Sequence, residues 1–327
     1  MPILDLVKSR RGLWIGALIV GPALSWASQN FFFAELLVSL RVQIGIGLLM
    51  LTLLGWRNRL LRDYGLGGLV ATCLILASAN FRQIQTTPED RKQSEADKNQ
   101  SARCRLAMLN VRSSNRNGAA VQGWIQKNDP DVLVCLETDS WWTNELNRIM
   151  STHPYRMLHP ADAGNFGICL YSRLPATDLQ MVTLSHDSTP SISAKIDIHG
   201  EQVQLLAIHP IPPINANQFA QRNRQLASAV DWAKSRKASN GSHAWIVGDF
   251  NLTPWSPWFT PFSDIGLRRV SNSWWPSSTW YLKPEFAVAS LVIDHILVDS
   301  QWRVTEFSTS EHLGSDHRGL VAELILQ

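Results

Sequence analysis

Cysteine is scarce in this chain, and charge of either sign does not dominate it. Four cysteines stand among 327 residues. None forms a CxxC pair or a Cys/His spacing that suits zinc. Cys104, Cys135 and Cys169 lie in or beside apolar strand-like runs, and Cys73 lies in an apolar span. They read as buried free thiols, although an oxidising compartment leaves room for one disulfide that the sequence does not assign. The formal net charge is +3, unevenly placed: residues 1–100 hold 11 Lys/Arg against 7 Asp/Glu, a net of +4, and the rest hold 19 against 20, a net of −1. The larger part of the chain therefore lacks the clustered positive charge that tight, sequence-independent binding to nucleic acid needs, though a local basic groove stays open. No internal repeat is visible. A hydrophobic content of 45% with 17% charged residues excludes a disordered chain and fits a folded domain with a membrane part.

The first 82 residues read as about three transmembrane helices. The apolar runs are Leu13–Ala27, Leu36–Trp56 (interrupted by Arg41 and Gln43) and Leu66–Phe81. A span takes about 20 apolar residues, so the first and third are short and need flanking residues. Lys8, Arg10 and Arg11 precede the first run, and Arg57, Arg59 and Arg62 fill the turn after the second. The positive-inside rule makes those segments cytoplasmic and puts everything after Phe81 on the extracytoplasmic side of the cell membrane. Arg41 is expected to snorkel to an interface. Two other readings compete: a cleaved signal peptide ending near Ser25-Trp26-Ala27, and a re-entrant run that would reverse the topology. Residues 83–103 are polar, charged and without apolar periodicity, a tether ahead of a domain over 104–327.

In that domain, apolar runs of strand length recur: LAMLNV, VLVCLE, FGICLYS, SISAKIDI, VQLLAIH, AWIVGDF, IDHILV and VAELIL. Helical stretches follow the first two and precede AWIVGDF, the last with Phe219, Leu226, Val230 and Trp232 near helical spacing. Many strands with a few helices predict two packed sheets with helices outside. Polar residues stand at or just past the ends of these runs: Asn110, Glu137, His209, Asp249 with Asn251, Asp294, and Asp316 with His317. Strand ends at one sheet edge can deliver such groups to a common place. In AWIVGDFN, alternation puts Trp245 and Val247 on one face and Ile246 on the other. Gly248 allows close backbone approach, and an extended Asn251 would share the side of Asp249. Asp294, ending its strand, can hold a histidine in one tautomer. Each motif alone is weak, because a lone Asp at a strand end is usually a turn residue.

The ordered set, and GDFN at Gly248–Asn251, IDHIL at Ile293–Leu297 and GSDHR at Gly314–Arg318 above all, resembles the endonuclease/exonuclease/phosphatase superfamily with its DNase I-like fold. The resemblance covers residues 104–327. It implies an α+β, four-layer α/β/β/α sandwich that hydrolyses phosphate mono- or diesters with Mg2+ or Mn2+. By resemblance Asn110 and Glu137 belong to the metal site, with Asp316 joining them. Asp249 activates water, Asn251 and His209 contact the scissile phosphate, and His317 is the main imidazole, oriented by Asp294. His295 and the remaining histidines read as packing or surface residues.

The aromatics Trp255, Trp258, Phe259, Trp274, Trp275 and Trp280 follow GDFN or precede IDHIL, and can pack, stack bases or sit at a lipid headgroup layer. With a net charge of −1 they favour a small or lipid-linked phosphoester over long duplex DNA. Arg112, Arg116, Arg173, Arg222, Arg224 and Arg318 are candidates for a phosphate-binding lining, with Arg222 and Arg224 on a solvated helix face. A nuclease outside the cytoplasm is the alternative enzyme. A catalytically silent, membrane-anchored binding module is the alternative from another class, and such a module would have lost Glu137, Asp249 or His317.

Overall fold

The computed structural model of the chain describes residues 26–54, 56–59, 62–70, 102–238, 242–271, 278–283 and 290–327. It divides into two compact units, one of Met1–Ile84 with Thr253–Thr260, the other of Gln85–Leu252 with Pro261–Gln327. Most of the first and third apolar runs, and residues 83–101 of the tether, lie outside the described residues.

In the first unit the second apolar run is not one straight helix. It is α1 (Phe32–Ser39) and α2 (Arg41–Leu54), bent by 61° at Leu40, whose backbone leaves the helical region with φ −93° and ψ 9°. Among the described residues no single helix is long and apolar enough to cross a membrane, whereas the bent pair together has that length and composition. Arg41 does not snorkel outward. It is buried, with its guanidinium carbon 4.8 Å from the centre of the Trp255 ring. The Trp255 indole nitrogen donates to the Ser39 carbonyl, and the Ser256 hydroxyl donates to the buried Glu35 carboxylate at 3.1 Å. Polar groups in these apolar helices are thus spent on the segment Thr253–Thr260, as burial requires.

The second unit is built on two six-stranded sheets. The strands are β1 (Arg103–Asn110), β2 (Val132–Leu136), β3 (Tyr155–His159), β4 (Ile168–Ser172), β5 (Ala176–Val182), β6 (Ser191–Ile198), β7 (Glu201–Ile208), β8 (His243–Asp249), β9 (Leu267–Arg269), β10 (Trp280–Tyr281), β11 (Ser290–Leu291), β12 (Asp294–Asp299), β13 (Trp302–Thr309) and β14 (Leu320–Leu326). One sheet runs β13-β14-β1-β2-β4-β3 and the other β5-β6-β7-β8-β12-β9, while β10 and β11 form a two-residue ladder. Each large sheet has one parallel pair, β1 with β2 and β7 with β8. Parallel neighbours need a crossover, and helices supply both: α3 (Gly118–Asn128) and α5 (Ala216–Ala238). A further helix, α4 (Ser140–Ile149), follows β2.

Strand period 2 fixes the layers. Leu106 and Met108 of β1, Val132 and Val134 of β2, Leu205 and Ala207 of β7, Trp245 and Val247 of β8, and Ile296 and Val298 of β12 form one core between the sheets. The alternate residues of the first sheet, Ala107, Leu109, Leu133 and Cys135, form a second core with Val121 and Trp124 of α3 and Trp142 and Leu146 of α4. Cys104, Cys135 and Cys169 are buried free thiols, as expected from the sequence.

Candidate active site

The inward-facing series of four strands run on, by period 2, into polar residues. Met108 leads to Asn110, Ala207 to His209, Val247 to Asp249, and Ile296, read backwards, to Asp294. All four polar residues are buried. They collect at one edge because β1 and β7–β8 arrive there with their C-terminal ends, while β12, antiparallel to β8, starts there: Asp294 pairs with Asp249 across the sheet. Asp294 therefore opens its strand rather than ending it.

His317 reaches the same edge from the turn before β14. Its Nδ1 lies 2.9 Å from Asp294 Oδ2, its Nε2 lies 3.7 Å from Asp249 Oδ2 and 3.4 Å from Asn110 Nδ2. The Asp294 contact fixes a protonated Nδ1 and turns Nε2 into the site. Burial pulls the His317 pKa down, but the charges of Asp294, Asp249 and Asp316 outweigh it and raise it to about 10. Burial, then the Asp294 charge, drives Asp249 well above the carboxylate range, with the His317 charge opposing. His209, whose Nε2 lies 3.6 Å from Asp249 Oδ2, is lowered to about 3 by burial and the nearby His317. One imidazole is thus held as a cation and the other neutral.

Backbone strain clusters here. Arg112, Glu137 and Asn251 have φ of +59°, +56° and +47°, a region that costs ordinary residues about 1 kcal/mol or more. Glu137 follows inward-facing Leu136, and the left-handed turn brings its Oε1 to within 2.8 Å of Asn110 Nδ2. Asn251 is not extended as alternation alone suggests. Its amide N–H folds back to donate to Asp249 Oδ1 at 2.8 Å, and its Nδ2 donates to the Pro210 carbonyl at 2.9 Å. Gly248, at φ +153°, lets this edge close: a Cβ there would lie 1.9 Å from the Ile208 carbonyl oxygen.

Asp316 stands at the rim. Its Oδ2 accepts from Trp280 Nε1 at 3.2 Å, and its Oδ1 lies 3.8 Å from Arg112 Nε. Burial raises the Glu137 pKa, the Asn110 hydrogen bond and His317 lower it, and Asp316 raises it again. Glu137 and Asp316 offer carboxylate oxygens of the kind that suits Mg2+ or Mn2+, while Asn110 turns its Nδ2 to Glu137 and accepts the Arg112 N–H on its Oδ1. Atoms of Asp249, Asp294 and His317 also lie within 4.8 Å of one another. Within that trio Asp294 is already bonded to His317 Nδ1.

The remaining expectations resolve one by one. Trp255 and Phe259 are buried in the first unit, while Trp274 and Trp275 lie outside the described residues. Trp280 borders the site through its hydrogen bond to Asp316. Arg173 pairs with Asp129 and Asp131, Arg116 with Asp139, and Arg224 with Asp187. Arg222 is not solvated but buried, donating to the Asn251 carbonyl at 2.8 Å. His295 is packing: its Nε2 contacts the Leu252 carbonyl and its ring meets Phe250 edge-on. Sequence reasoning passed over Ser315 and Thr279. The Ser315 hydroxyl donates to the Asn110 carbonyl and accepts from the His317 N–H. The Thr279 hydroxyl oxygen accepts from the N–H groups of Ile293 and Asp294. The GSDH turn carries the signal for Ser315; nothing in the sequence marks Thr279.

Two mixed sheets with helices outside, and a carboxylate–imidazole–amide site where the inter-sheet core ends, define a DNase I-like α/β sandwich. The chain belongs to the endonuclease/exonuclease/phosphatase family, whose model matches residues 109–317. Members are hydrolases acting on phosphoesters. Among solved structures, Caenorhabditis elegans TDP2 aligns with a TM-score of 0.57 at 15% identity, covering 76% of this chain and 83% of that one. D. rerio TDP2, crystallised with a single-strand DNA product, aligns at 0.56 and 15%, covering 68% and 99%. The family protein from Bacteroides vulgatus aligns at 0.53 and 17%, covering 69% and 99%. At these identities the likeness concerns the fold. No curated protein matches the chain in sequence.

Proposed function

We propose that the chain is a membrane-anchored, metal-dependent phosphoesterase that hydrolyses a phosphate mono- or diester by water attack, its catalytic unit facing away from the cytoplasm. The observation that carries the chemistry is the His317–Asp294 contact at 2.9 Å, with Asp249 within 3.7 Å of His317. Asp249, with its raised proton affinity, takes the proton of the attacking water. The His317 imidazolium directs Nε2–H at the phosphoryl oxygens and offsets the charge that grows on them. His209, neutral, offers a hydrogen bond without competing for the Asp249 proton, and Asn251 closes the phosphate side. Glu137 and Asp316 would hold the divalent ion, with Asn110 orienting the Glu137 carboxylate through its Nδ2; when bound, the ion neutralises phosphoryl charge and steadies the leaving oxygen.

Support for the anchor comes from the first unit. Phe33, Leu53, Leu54 and Trp56 are exposed there, from 58% to 83%, an apolar surface that water disfavours and a bilayer accepts. With the positive-inside charges of the flanking segments, it motivates the extracytoplasmic assignment. A small or lipid-linked phosphoester is the favoured substrate class, because the larger part of the chain carries no positive surplus.

The test is hydrolysis by the full chain in detergent, wild type and His317→Ala, with Mg2+ or EDTA. The substrates are bis-p-nitrophenyl phosphate, an inositol phosphate, sphingomyelin vesicles and plasmid DNA. Metal-dependent cleavage that His317→Ala reduces by roughly 10²- to 10⁴-fold is expected. Cleavage of DNA alone would replace the substrate class with a nuclease's. Silence throughout, with no stabilisation by Mg2+, would favour a binding module.

A further inference from the structure

Two of the catalytic segments are gripped from behind by one helix. On α5, Arg222 and Gln225 are three residues apart and so share a face. Both are buried, Arg222 at 1% exposure and Gln225 at 0%. Arg222 Nη1 donates to the Asn251 carbonyl at 2.8 Å, while Nε and Nη2 both donate to Asn223 Oδ1, at 2.9 and 2.7 Å. Gln225 Oε1 lies 3.3 Å from the Thr189 N–H and 3.0 Å from its hydroxyl, and Gln225 Nε2 donates to the Thr189 carbonyl at 3.2 Å. The single hydroxyl hydrogen of Thr189 goes to the nearer acceptor, the His209 carbonyl. The chain of contacts closes through Asn251, whose side chain donates to the Pro210 carbonyl.

We propose that Arg222 and Gln225 are positioning residues, setting the left-handed Asn251 turn and the His209 backbone in mutual register so that Asp249 faces both histidines. The inference rests on the phosphoesterase reading. A buried guanidinium is a costly way to fill a core, since an apolar side chain of similar volume serves packing as well or better. Its planar set of donors is what an apolar residue lacks. Here those donors hold Asn223 to the carbonyl of a strained residue. That residue's own N–H in turn holds Asp249 Oδ1 at 2.8 Å. Release of the Asn251 carbonyl would free the turn to leave φ +47° and let the carboxylate drift. A displacement of about 1 Å at a reacting group costs on the order of 10²-fold in rate.

The experiment compares the full chain in detergent as wild type, Arg222→Met and Arg222→Lys. It measures kcat and KM on bis-p-nitrophenyl phosphate with Mg2+, the melting temperature, and hydrogen exchange of the amides at 249–252. Arg222→Met is expected to lose about 10²-fold in kcat with KM changed by less than about 3-fold. Exchange of the Asn251 amide should quicken while the strands keep their protection, and Arg222→Lys should recover part of both. Wild-type kcat in folded Arg222→Met, or a loss that follows melting alone with Asn251 exchange unchanged, overturns the proposal. If wild type hydrolyses nothing, the phosphoesterase reading falls and exchange decides the positioning role alone: faster exchange confined to 249–252 sustains it, and unchanged exchange removes it.

Discussion

Glu137 shares the electrostatic cost of the site with Asp249, whose carboxyl burial displaces further. The Glu137 carboxyl is pushed up by burial and by Asp316, and its backbone is held left-handed, so in the metal-free protein it is a liability rather than a support. Glu137→Gln is therefore expected to leave the melting temperature in EDTA unchanged or raised. It should also increase the Mg2+ concentration for half-maximal activity by ~10-fold or more. A fall in metal-free stability with unchanged Mg2+ dependence would show the acid to be structural. The acids and imidazoles of the site were legible in the sequence because each interrupts an apolar run with a group that cannot be buried unpaired. Arg222 was not legible. On a helix of mixed polarity its code matches that of its solvated neighbour Arg224, and the difference lies in which face meets β7 and β8.

At the scale of elements, Gly248 is where the site and the sheet meet. A methyl group there would strike a backbone carbonyl on the parallel neighbour, not a side chain that can turn away. Gly248→Ala should cost at least ~3 kcal/mol, a drop of roughly 6 °C or more in melting temperature; thermal unfolding in EDTA measures it without the metal's contribution. The eight apolar runs read from the sequence are the eight interior strands of the two sheets: β14, β1, β2 and β4, and β6, β7, β8 and β12. The four strands of these two sheets that the sequence hid are the edges, and it hid the short β10 and β11 as well. Tyr155–His159, Ala176–Val182 and Trp302–Thr309 are half-exposed with polar residues throughout, and Leu267–Arg269 has three residues. An edge strand buries too little to leave a continuous apolar run, so composition signals the middle of a sheet and not its border. The same limit applies to α1 and α2: hydropathy joins them into one span, and hydropathy carries no information about the bend at Leu40.

At the scale of the whole molecule, buried histidines and the buried acids of the site act in opposite directions on the response to pH. His209, His295 and His153 all have folded pKa values lowered by burial, His209 to about 3. When such a group is neutral in the fold, the unfolded chain binds the extra proton. The stability they contribute is present above the unfolded pKa of 6.5 and is lost as pH falls below it, by about 1.4 kcal/mol per unit for each histidine. His317 runs the other way: raised to about 10, it contributes stability that is complete below 6.5 and declines as pH rises toward 10. The neutral histidines thus lower the melting temperature from pH 7 to pH 5, while Asp249 and Glu137, whose raised carboxyl pKa values favour the fold as pH falls, oppose them. His295→Gln, which keeps a donor for the Leu252 carbonyl, should make that fall shallower, and an unchanged slope would count against a neutral buried His295.

The period-2 continuation from core to site makes the assembly of the candidate site a matter of phase. Asn110, His209, Asp249 and Asp294 face one another because each stands an even number of residues beyond an apolar side chain of the inter-sheet core. Deleting a single residue within β8 is expected to turn Asp249 to the opposite face of the sheet and bring an apolar residue to the edge in its place. A change of length inside one of these strands is therefore expected to undo the whole arrangement at once, where a change of length in a connecting segment leaves the phase of every strand intact.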